Sequence, residues 1–495
     1  MKNSNGMIQK KYRVKGSILV QALVFGSIAV VIIGGLISWA GVNIKASRLA
    51  VYREQALQIA ESGIDYYRWH LAHAPTDYQD GTGTTTPYIH PFYDKDGNQI
   101  GTFTLEITPP ASGFTIVTIK STGKVVDDPT ISRSIVARLA IPSLAKYAVV
   151  SNDNMRFGEG TEVFGPIHAN GGIRFDGLAH NVISSSRNTY DDPDHSGANE
   201  FGVHTHVTAP PGSGVNDTFR AAEAPASAVA SRADIFESGR QFPVPAVDFT
   251  GMTTDLASIK ADAQASGRYF AASGSQGYHV VFKVNDTFDL YRVTALQAVG
   301  GSCSNDAGQS GWSSWSIRTS GGAGQTLLGN YAIPANGLIF LEDHVWVDGQ
   351  INGARVTLAA GRFPDNAATR PSITINSNLL YSNYNGNDVI SLISQGDVNV
   401  GQYSADTLRI DAALVAQNGR VGRYYYASDC ANNNRNSLTL YGMIATNVRY
   451  GFAYTDGTGY DTRNIIYDAN LLYGPPPSFP LTSDQYQIIS WEETR

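Results

Sequence analysis

The residues of this sequence that could bind a metal ion lie mostly between positions 191 and 206. Because alternate residues of a strand point the same way, a strand would direct the imidazoles of His204 and His206 to one side. Further oxygen and nitrogen ligands lie close by in sequence: Asp191, Asp192, Asp194 and His195. The surrounding stretch from 188 to 246 is rich in Asp, Ser, Ala and Pro, which is typical of a long loop or linker. We therefore expect these side chains to be solvated, and we predict no metal site and no cofactor.

The acidic residues show no pair that would be expected to perform general acid–base catalysis. Glu342 next to Asp343, and Asp397 with Arg409, are candidates by residue type alone among 43 acidic residues. The sequence also has no P-loop, no GxSxG motif and no HExxH motif. We predict that the chain has no catalytic residues and is not an enzyme.

Two cysteines and a group of aromatic residues lie in loop-like stretches of the second half. Cys303 and Cys430 could form one disulfide or stay as free thiols, and the sequence leaves both alternatives open. Trp312, Trp315 and residues 424–426 could form an exposed adhesive surface, or they could pack beneath long loops. We favour packing beneath loops.

The distribution of charge excludes one class of partner. The chain of 495 residues has a formal net charge of −7, but its first sixteen residues hold five basic residues and no acid. The rest of the chain therefore has 31 basic against 43 acidic residues. Because nucleic-acid binding depends on a basic surface, we expect no direct contact with nucleic acid.

The elements that would position any such site begin with an apolar N-terminal segment. No residue between Lys15 and Lys45 is charged, and the apolar run from Ser17 to Val42 is 26 residues long. That length crosses a bilayer with a hydrocarbon core of about 30 Å. A secretory signal peptide would have a shorter apolar core of about 7–15 residues. The basic residues before the run predict a cytoplasmic N-terminus, with everything after Val42 outside.

An amphipathic pattern continues from Asn43 to His73 without a proline. Apolar residues recur at three- and four-residue steps, while Glu54, Glu61 and Arg68 fall on the other face. Pro75 and the glycine- and threonine-rich stretch after it end the pattern. If the two segments are continuous, one helix of about 57 residues would extend roughly 85 Å.

This N-terminal region resembles that of type IV pilins. The basic leader that ends in Lys15-Gly16, the change to an apolar helix and the amphipathic continuation are similar to the class III signal and N-terminal helix of that family. The segment Ala60-Glu61-Ser62-Gly63-Ile64 also resembles one that is common in PilX-type minor pilins and pseudopilins. The resemblance implies that prepilin peptidase cleaves after Gly16 and methylates the amine of Ser17.

One position departs from the pilin pattern. Pilins usually have Glu at the fifth mature position, where its carboxylate neutralises the terminal amine of a neighbouring subunit, and this chain has Gln21 there. An amide can accept a hydrogen bond but cannot cancel a charge in an apolar environment. Some tip-type minor pilins also lack this Glu, which by resemblance implies a subunit that starts a fibre. The alternative is that Gln21 is a tolerated polar residue in a helix that only anchors the protein.

The rest of the chain has the pattern of a mainly β protein. Alternating apolar and polar residues between 88 and 140 predict three or four antiparallel strands in a small sheet. After Lys146, short β-branched runs separated by Gly, Asn or Asp recur without a fixed period. This favours a parallel β-helix-like body, with a β-sandwich as the alternative. A helix over Asp255–Gly267 and a hairpin over Gly277–Val293 predict a small α+β insertion in that body.

The predicted fold class is therefore mainly β with a long N-terminal transmembrane and amphipathic α-helix. These patterns divide the chain into a leader peptide (1–16), the N-terminal helix (17–74, transmembrane over 17–42), an antiparallel β head (75–145), a first solenoid part with linker (146–246), the α+β insertion (247–300) and a β-helix-like C-terminal body (301–495).

Sequence and resemblance together imply a subunit that takes part in type IV pilus-like fibre assembly. It would begin in the inner membrane as a single-pass protein with an extracytoplasmic body, and then reach the cell surface or pilus. Its implied partners are other pilin subunits through the N-terminal helix, prepilin peptidase, the membrane, and a surface glycan or a host or cell-surface ligand for the body. The alternative is a stand-alone membrane-anchored β-helix protein that binds or cleaves surface polysaccharide.

Overall fold

The computed structural model describes residues 17–110, 114–212, 214–249, 251–481 and 485–494. The predicted leader lies outside the described residues. The protein is mainly β, with a long N-terminal helix, an antiparallel sheet and a large, mostly parallel sheet. It divides into two compact units. The first contains the chain up to Thr108, Thr118–Arg138 and the C-terminal strand, and the second contains Pro109–Val117 and Leu139–Gln487.

Helix α1 and a five-stranded sheet form the first unit. α1 runs from Ser17 to His73 over 57 residues, which confirms the predicted continuous helix. The sheet lies in the order β1 (Tyr88–Tyr93), β2 (Gln99–Thr108), β3 (Val117–Val125), β4 (Ser132–Ala140) and the C-terminal strand Gln487–Thr494. β1, β2 and β3 run antiparallel, and buried residues alternate with more exposed ones along β2 and β3. One face of this sheet is therefore apolar.

The end of the chain differs from the sequence-based assignment. Residues 301–495 were all expected in the C-terminal body, but Gln487–Thr494 lies next to β4 in the sheet of the first unit. The reason is long-range pairing. Any alternating strand can complete a free sheet edge, and the local pattern does not reveal which edge it joins.

The second unit is built from many short strands with a helix and four 3-10 helices among the described residues. Its first strands are β5 (Val149–Ser151), β6 (Met155–Phe157), β7 (Thr161–Phe164), β8 (Ile167–Ala169), β9 (Ile173–Phe175), β10 (Leu178–Ala179), β11 (Ile183–Ser185), β12 (Thr189–Tyr190), β13 (Glu200–Phe201), β14 (Val203–His204) and β15 (Arg240–Gln241). Helix α2 (Gly251–Ser266) and β16 (Arg268–Phe270), β17 (Gly277–Lys283), β18 (Thr287–Val293) and β19 (Gln325–Ala332) follow. The 3-10 helices are Leu144–Lys146, Asp217–Glu223, Ala367–Thr369 and Ala469–Leu471.

The remaining strands form the central coils of a parallel solenoid. They are β20 (Leu338–Leu341), β21 (Val345–Ile351), β22 (Arg355–Ala360), β23 (Ile373–Thr374), β24 (Leu379–Tyr381), β25 (Val389–Ser394), β26 (Val398–Val400), β27 (Thr407–Ala416), β28 (Val421–Arg423), β29 (Asn434–Thr446) and β30 (Gly459–Tyr467). Each pairs in parallel with a strand of the next coil, as β22 does with β25 and β27 with β29. This is the stacked-coil arrangement expected of the body.

The coils are aligned although they differ in length. Ala360 pairs with Ser394, Ser394 with Ala416 and Ala416 with Thr446, so the aligned positions are unequally spaced along the chain. Thr446 then pairs with Ser151. The chain therefore enters the solenoid beside its last coil, and the strands from β5 onward extend the stack beyond that coil.

The segment expected as an α+β insertion has the predicted helix and hairpin. α2 covers Gly251–Ser266, and β17 pairs with β18 from Gly277↔Val293 to Lys283↔Thr287. β16 pairs in parallel with β20 and β17 with β21, so the segment continues the main sheet. Apolar side chains fill the inside of the coils, and a second cluster lies between the sheet and α2. The core is thus one long stack closed on one side by a helix.

Candidate functional site

The first half of α1 is an apolar surface that nothing in the described chain covers. Every residue from 17 to 48 is exposed, and an 18-residue window has a mean hydropathy of 2.4 with none of it buried. By length and composition α1 is therefore able to cross a membrane. Large apolar side chains such as Leu19 and Val31 are more than two-thirds exposed. Such a surface needs lipid or other apolar helices around it.

The residues implied by the pilin resemblance lie at the start of this helix. Ser17 is its first residue, and Gln21 lies one turn later and is exposed among apolar neighbours. Gly16 lies outside the described residues. The Gln21 amide is therefore a polar group within the first turns of the apolar helix, and it adds no charge to that surface.

The second half of α1 packs against the sheet of its own unit. Its buried residues fall on one face at helical spacing: Ala56, Ile59, Ala60, Gly63, Ile64, Tyr67 and Leu71. Glu54, Glu61 and Arg68 are exposed on the other face, as the amphipathic pattern predicts. Ala46 and Ala50 also fit the apolar pattern but are exposed, so the sheet covers only the last turns of α1. Full burial of side chains such as Ile59 and Leu71 stabilises the unit by about 1.5–3 kcal/mol each.

Two glycines bring α1 and the sheet into close contact. A Cβ atom at Gly123 in β3 would lie 2.1 Å from the carbonyl oxygen of Ala56 and 2.6 Å from the nitrogen of Ala60. A Cβ atom at Gly63 in α1 would lie 2.3 Å from the Oγ of Ser121. At Gly123 only glycine fits at the observed separation, because the obstructing atoms belong to the main chain and real Cβ contacts are longer than 3 Å; at Gly63 the obstructing atoms belong to side chains. The second half of α1 is therefore held close to the sheet at these two positions.

A polar network fixes the C-terminal end of α1. The Tyr67 hydroxyl donates to the carbonyl oxygen of Asp77 at 3.0 Å, and the Tyr66 hydroxyl donates to Asp80 Oδ1 at 3.1 Å. The other oxygen of Asp80 lies 2.7 Å from Nε2 of His90 in β1. Hydrogen bonds from the main-chain N–H groups of Gln79 and Gly81 lower the pKa of Asp77. The network ties the loop after α1 to both the helix and the sheet.

The two cysteines are bonded to each other. Cys303 and Cys430 form a disulfide with 4.4 Å between their Cα atoms, so of the two open alternatives the structure has the bridge. The aromatic residues near it pack beneath the loops, since the Trp312 indole donates to the carbonyl oxygen of Tyr425 at 2.7 Å and Tyr426 is buried. These aromatic residues therefore stabilise a loop cluster and form no continuous exposed surface.

The acidic residues considered as catalytic candidates are each bonded to neighbouring structural groups. Asp343 accepts hydrogen bonds from the main-chain N–H and the hydroxyl of Ser273, and its carboxylate pairs with Arg362. Asp397 accepts from the Arg420 amide and the Tyr424 hydroxyl. Glu342 pairs with Lys260, and Arg409 pairs with Asp411 instead of Asp397. None of these contacts brings two carboxylates together in the described chain.

The expectation that the histidines are solvated is wrong. His204 and His206 are fully buried, and Asp192 is buried beside them. The reason is strand pairing: β14 lies parallel to β9, with Val203 opposite Ile173, and this draws the segment into the body. Burial, and then the positive charge of Arg174, lower the pKa of His206. The imidazole is therefore neutral near pH 7.

Sequence reasoning missed several groups that support these two regions. Gly123 appears as an ordinary glycine in a strand pattern, and only its position opposite Ala56 shows its role. Glu200 lies within the 191–206 stretch but was not among the candidate ligands, and Asp217 lies beyond it; the structure places them 3.9 Å from Nδ1 of His195 and 3.4 Å from Nδ1 of His206. An unexplained glycine in an alternating strand was the one available signal for close packing.

Comparison with known proteins adds little to this geometry. The chain matches no known family model and no curated protein sequence. Among solved structures it is similar to the competence-associated pilin ComZ from Thermus thermophilus, with 12% sequence identity and a TM-score of 0.29, over 90% of this chain and 98% of that chain. A TM-score this low carries no argument about the fold or the function of this chain.

Proposed function

We propose that this chain is a minor pilin or pseudopilin that enters a type IV pilus-like fibre through α1. One observation carries the proposal: every residue of the apolar first half of α1 is exposed, while one face of its last turns packs under its own sheet. An apolar helix surface of this length requires lipid before assembly and other apolar helices afterwards. The same element would thus serve as membrane anchor and then as part of the fibre core.

The leader gives the route into the fibre. Prepilin peptidase would remove residues 1–16 and methylate Ser17, after which the apolar half of α1 could leave the bilayer and pack against other pilin helices. The body would face outward from the inner membrane and later from the fibre, where it would bind a glycan or a cell-surface ligand. Its role would be assembly and adhesion, without enzymatic activity.

Gln21 supports a place at the start of the fibre. A subunit with no partner above it has no neighbouring amine to neutralise, so the missing carboxylate would cost it nothing. A subunit inside the shaft would lose a charge pair in an apolar environment. The segment 60–64, which is similar to that of PilX-type minor pilins, is consistent with such a minor subunit. Labelled protein should then appear at fibre tips in electron micrographs, and Gln21→Glu should spread the label along the shaft.

The test uses two leader variants in the native host. Gly16→Asp is expected to block cleavage, so the chain should stay in the membrane fraction and be absent from sheared fibres. Gly6→Asp places the same substitution in the same basic leader, ten residues from the cleavage point, and should enter fibres like the wild type. Quantitative immunoblots measure how much of each variant is in the sheared fibres and how much is in the membrane fraction.

The alternative makes the opposite prediction. A stand-alone membrane-anchored protein that binds or cleaves surface polysaccharide would remain in the membrane fraction in all three strains. Wild-type chain that is absent from sheared fibres, while other pilins are present, would therefore overturn the proposal. Equal fibre incorporation of Gly16→Asp and Gly6→Asp would overturn the processing step.

A further inference from the structure

Four side chains with metal-binding atoms converge in the second unit, and we call them the histidine cluster: Asp192, His195, His204 and His206. One ligand atom from each lies within 4.8 Å of the others. Nε2 of His195 lies 3.4 Å from Asp192 Oδ2 and 3.2 Å from Nε2 of His206. Nε2 of His204 lies 3.6 Å from the same Asp192 oxygen. The Nε2 atoms of all three imidazoles therefore lie close together beside one carboxylate.

The polar atoms of the cluster are buried and poorly satisfied. His204 and His206 are 0% exposed and Asp192 is 2% exposed. Asp192 Oδ2 and both ring nitrogens of His204 have no hydrogen-bond partner among the described residues. Burying such atoms without partners is unfavourable, and native proteins rarely leave them so. A cation between the side chains would satisfy Asp192 Oδ2 and Nε2 of His204 together.

The spacing of the ligand atoms fits a tetrahedral ion. Ligands about 2.0–2.1 Å from Zn²⁺ at the corners of a tetrahedron lie roughly 3.3–3.4 Å from one another. The measured separations of 3.2, 3.4 and 3.6 Å lie on both sides of that value. We propose that the histidine cluster binds one Zn²⁺ with four protein ligands. No two of the four ligand atoms lie more than 4.8 Å apart, so a small side-chain rotation would bring all four to bonding distance from one ion.

The donor set selects the kind of metal. Three imidazole nitrogens and one carboxylate oxygen suit Zn²⁺, whereas Ca²⁺ and Mg²⁺ require mainly oxygen ligands. Zn²⁺ sites with four protein ligands are closed to substrate and are structural. The His195 side chain is 16% exposed, which leaves a route for the ion to enter.

Two carboxylates lie near the cluster, and one main-chain hydrogen bond orients its aspartate. Asp217 Oδ1 lies 3.4 Å from Nδ1 of His206, and Glu200 Oε1 lies 3.9 Å from Nδ1 of His195. Neither contact is a hydrogen bond in the described structure, but a small approach of either carboxylate would let it accept from Nδ1 and so favour the tautomer that leaves Nε2 free to bind the ion. The main-chain N–H of Asp194 donates to Asp192 Oδ1 at 3.0 Å, which directs Oδ2 into the cluster.

The positive charge of Arg174, which acts on His206, is paired with a buried carboxylate. Arg174 donates to Asp176 Oδ2 at 2.6 Å, and both side chains are buried. Asp176 Oδ1 also accepts from the main-chain N–H of His206 at 2.9 Å. The Arg174–Asp176 pair is neutral overall and orients the segment that carries His206. Asp192 therefore provides the net negative charge that the ion requires.

The bound ion would cross-link two parts of the segment between β12 and β15. Asp192 and His195 lie in the loop between β12 and β13, while His204 ends β14 and His206 follows it. β14 is paired with β9 of the body. Zn²⁺ would therefore attach the β12–β13 loop to the body, and removing it would loosen this loop first.

The experiment measures zinc bound to the full chain in detergent. After treatment with EDTA and dialysis against ZnCl2, mass spectrometry of the metal content should give about one Zn²⁺ per wild-type chain. His204→Gln and His206→Gln should each weaken the affinity for zinc at least about 100-fold. Mutating a residue that only hydrogen-bonds to a metal ligand already lowers metal affinity about 10–100-fold, and these two variants remove a ligand itself. The matched control is His168→Gln, which changes a fully buried histidine that already bonds to Ser184 and Asn170. It should retain the ion.

Folding of each variant is checked by circular dichroism. If the two buried variants fail to fold, His195→Gln replaces the partly exposed ring and should cause the same loss. Cobalt substitution should give the intense visible absorption of a four-coordinate ion in the wild type and in His168→Gln. The proposal is overturned if the wild type binds well under one equivalent of Zn²⁺, or if folded cluster variants bind it as tightly as His168→Gln.

Discussion

The contact between α1 and its sheet gives the sharpest quantitative prediction. Gly123→Ala adds a Cβ atom 2.1 Å from the carbonyl oxygen of Ala56 and 2.6 Å from the nitrogen of Ala60. Both are main-chain atoms of a helix, so no rotamer change relieves the overlap and α1 must move away from β3 by about 1 Å. Overpacking costs about 1–3 kcal/mol, and a backbone clash of this size lies at the upper end of that range.

The assay is hydrogen exchange of the backbone amides, read by mass spectrometry on the full chain in detergent. A loss of about 3 kcal/mol corresponds to opening that is roughly 100-fold more frequent in peptides from β2 and β3. Gly158→Ala is the control, because a Cβ atom there meets nothing within 4 Å. It should leave these peptides unchanged.

Gly63→Ala should cost less, because its nearest obstacle is a side chain. The Oγ of Ser121 lies 2.3 Å from the new Cβ, and alanine gains about 1 kcal/mol in helix propensity over glycine. Adding Ser121→Ala removes that oxygen, which is buried without a hydrogen-bond partner among the described residues. The double variant should therefore recover part of the protection, because Cδ2 of Phe103 still lies 2.9 Å from the added Cβ atom. Equal exchange in Gly123→Ala and wild type, or no recovery in the double variant, would refute this account of the packing.

Two further predictions concern the second unit. Cys303→Ser should lower its free energy of unfolding by about 5 kcal/mol, because the disulfide closes a loop between positions 127 residues apart and so restricts the unfolded chain. Denaturation followed by tryptophan fluorescence measures this, and a midpoint equal to that of the oxidised wild type would contradict it. Burial lowers the pKa of His168 despite its hydrogen bond to Asn170, so the unfolded chain binds a proton more readily than the folded one. This histidine therefore contributes stability above about pH 6.5 that is lost as the pH falls. His168→Gln should make the unfolding free energy depend less steeply on pH below about pH 6.5. A slope equal to that of the wild type would contradict this prediction.

Elements defined by local pattern could be predicted from the sequence. α1 follows from an uncharged run and an amphipathic run with no proline between them, and the β17–β18 hairpin follows from alternation around Asn285-Asp286. In both cases the pattern that predicts the element lies within the element's own residues, so no distant part of the chain is needed to recognise it.

Features that depend on long-range pairing could not be predicted. Ser151 pairs with Thr446, and the C-terminal strand joins the sheet of the first unit, but neither partner is visible in a local pattern. The same limit explains the histidines. Composition around His204 indicates a solvated loop, while pairing of β14 with β9 buries it. A site assembled by such pairing becomes visible only in the folded chain.

The mature N-terminus of the protein shows whether the chain follows the pilin pathway. Mass spectrometry of the chain purified from its native host, with and without prepilin peptidase, distinguishes the two possible starts. We expect a chain that begins at methylated Ser17 in the wild type and keeps residues 10–16 when the peptidase is absent. A chain that keeps residues 10–16 in both strains would contradict the pilin pathway and leave α1 as a permanent membrane anchor.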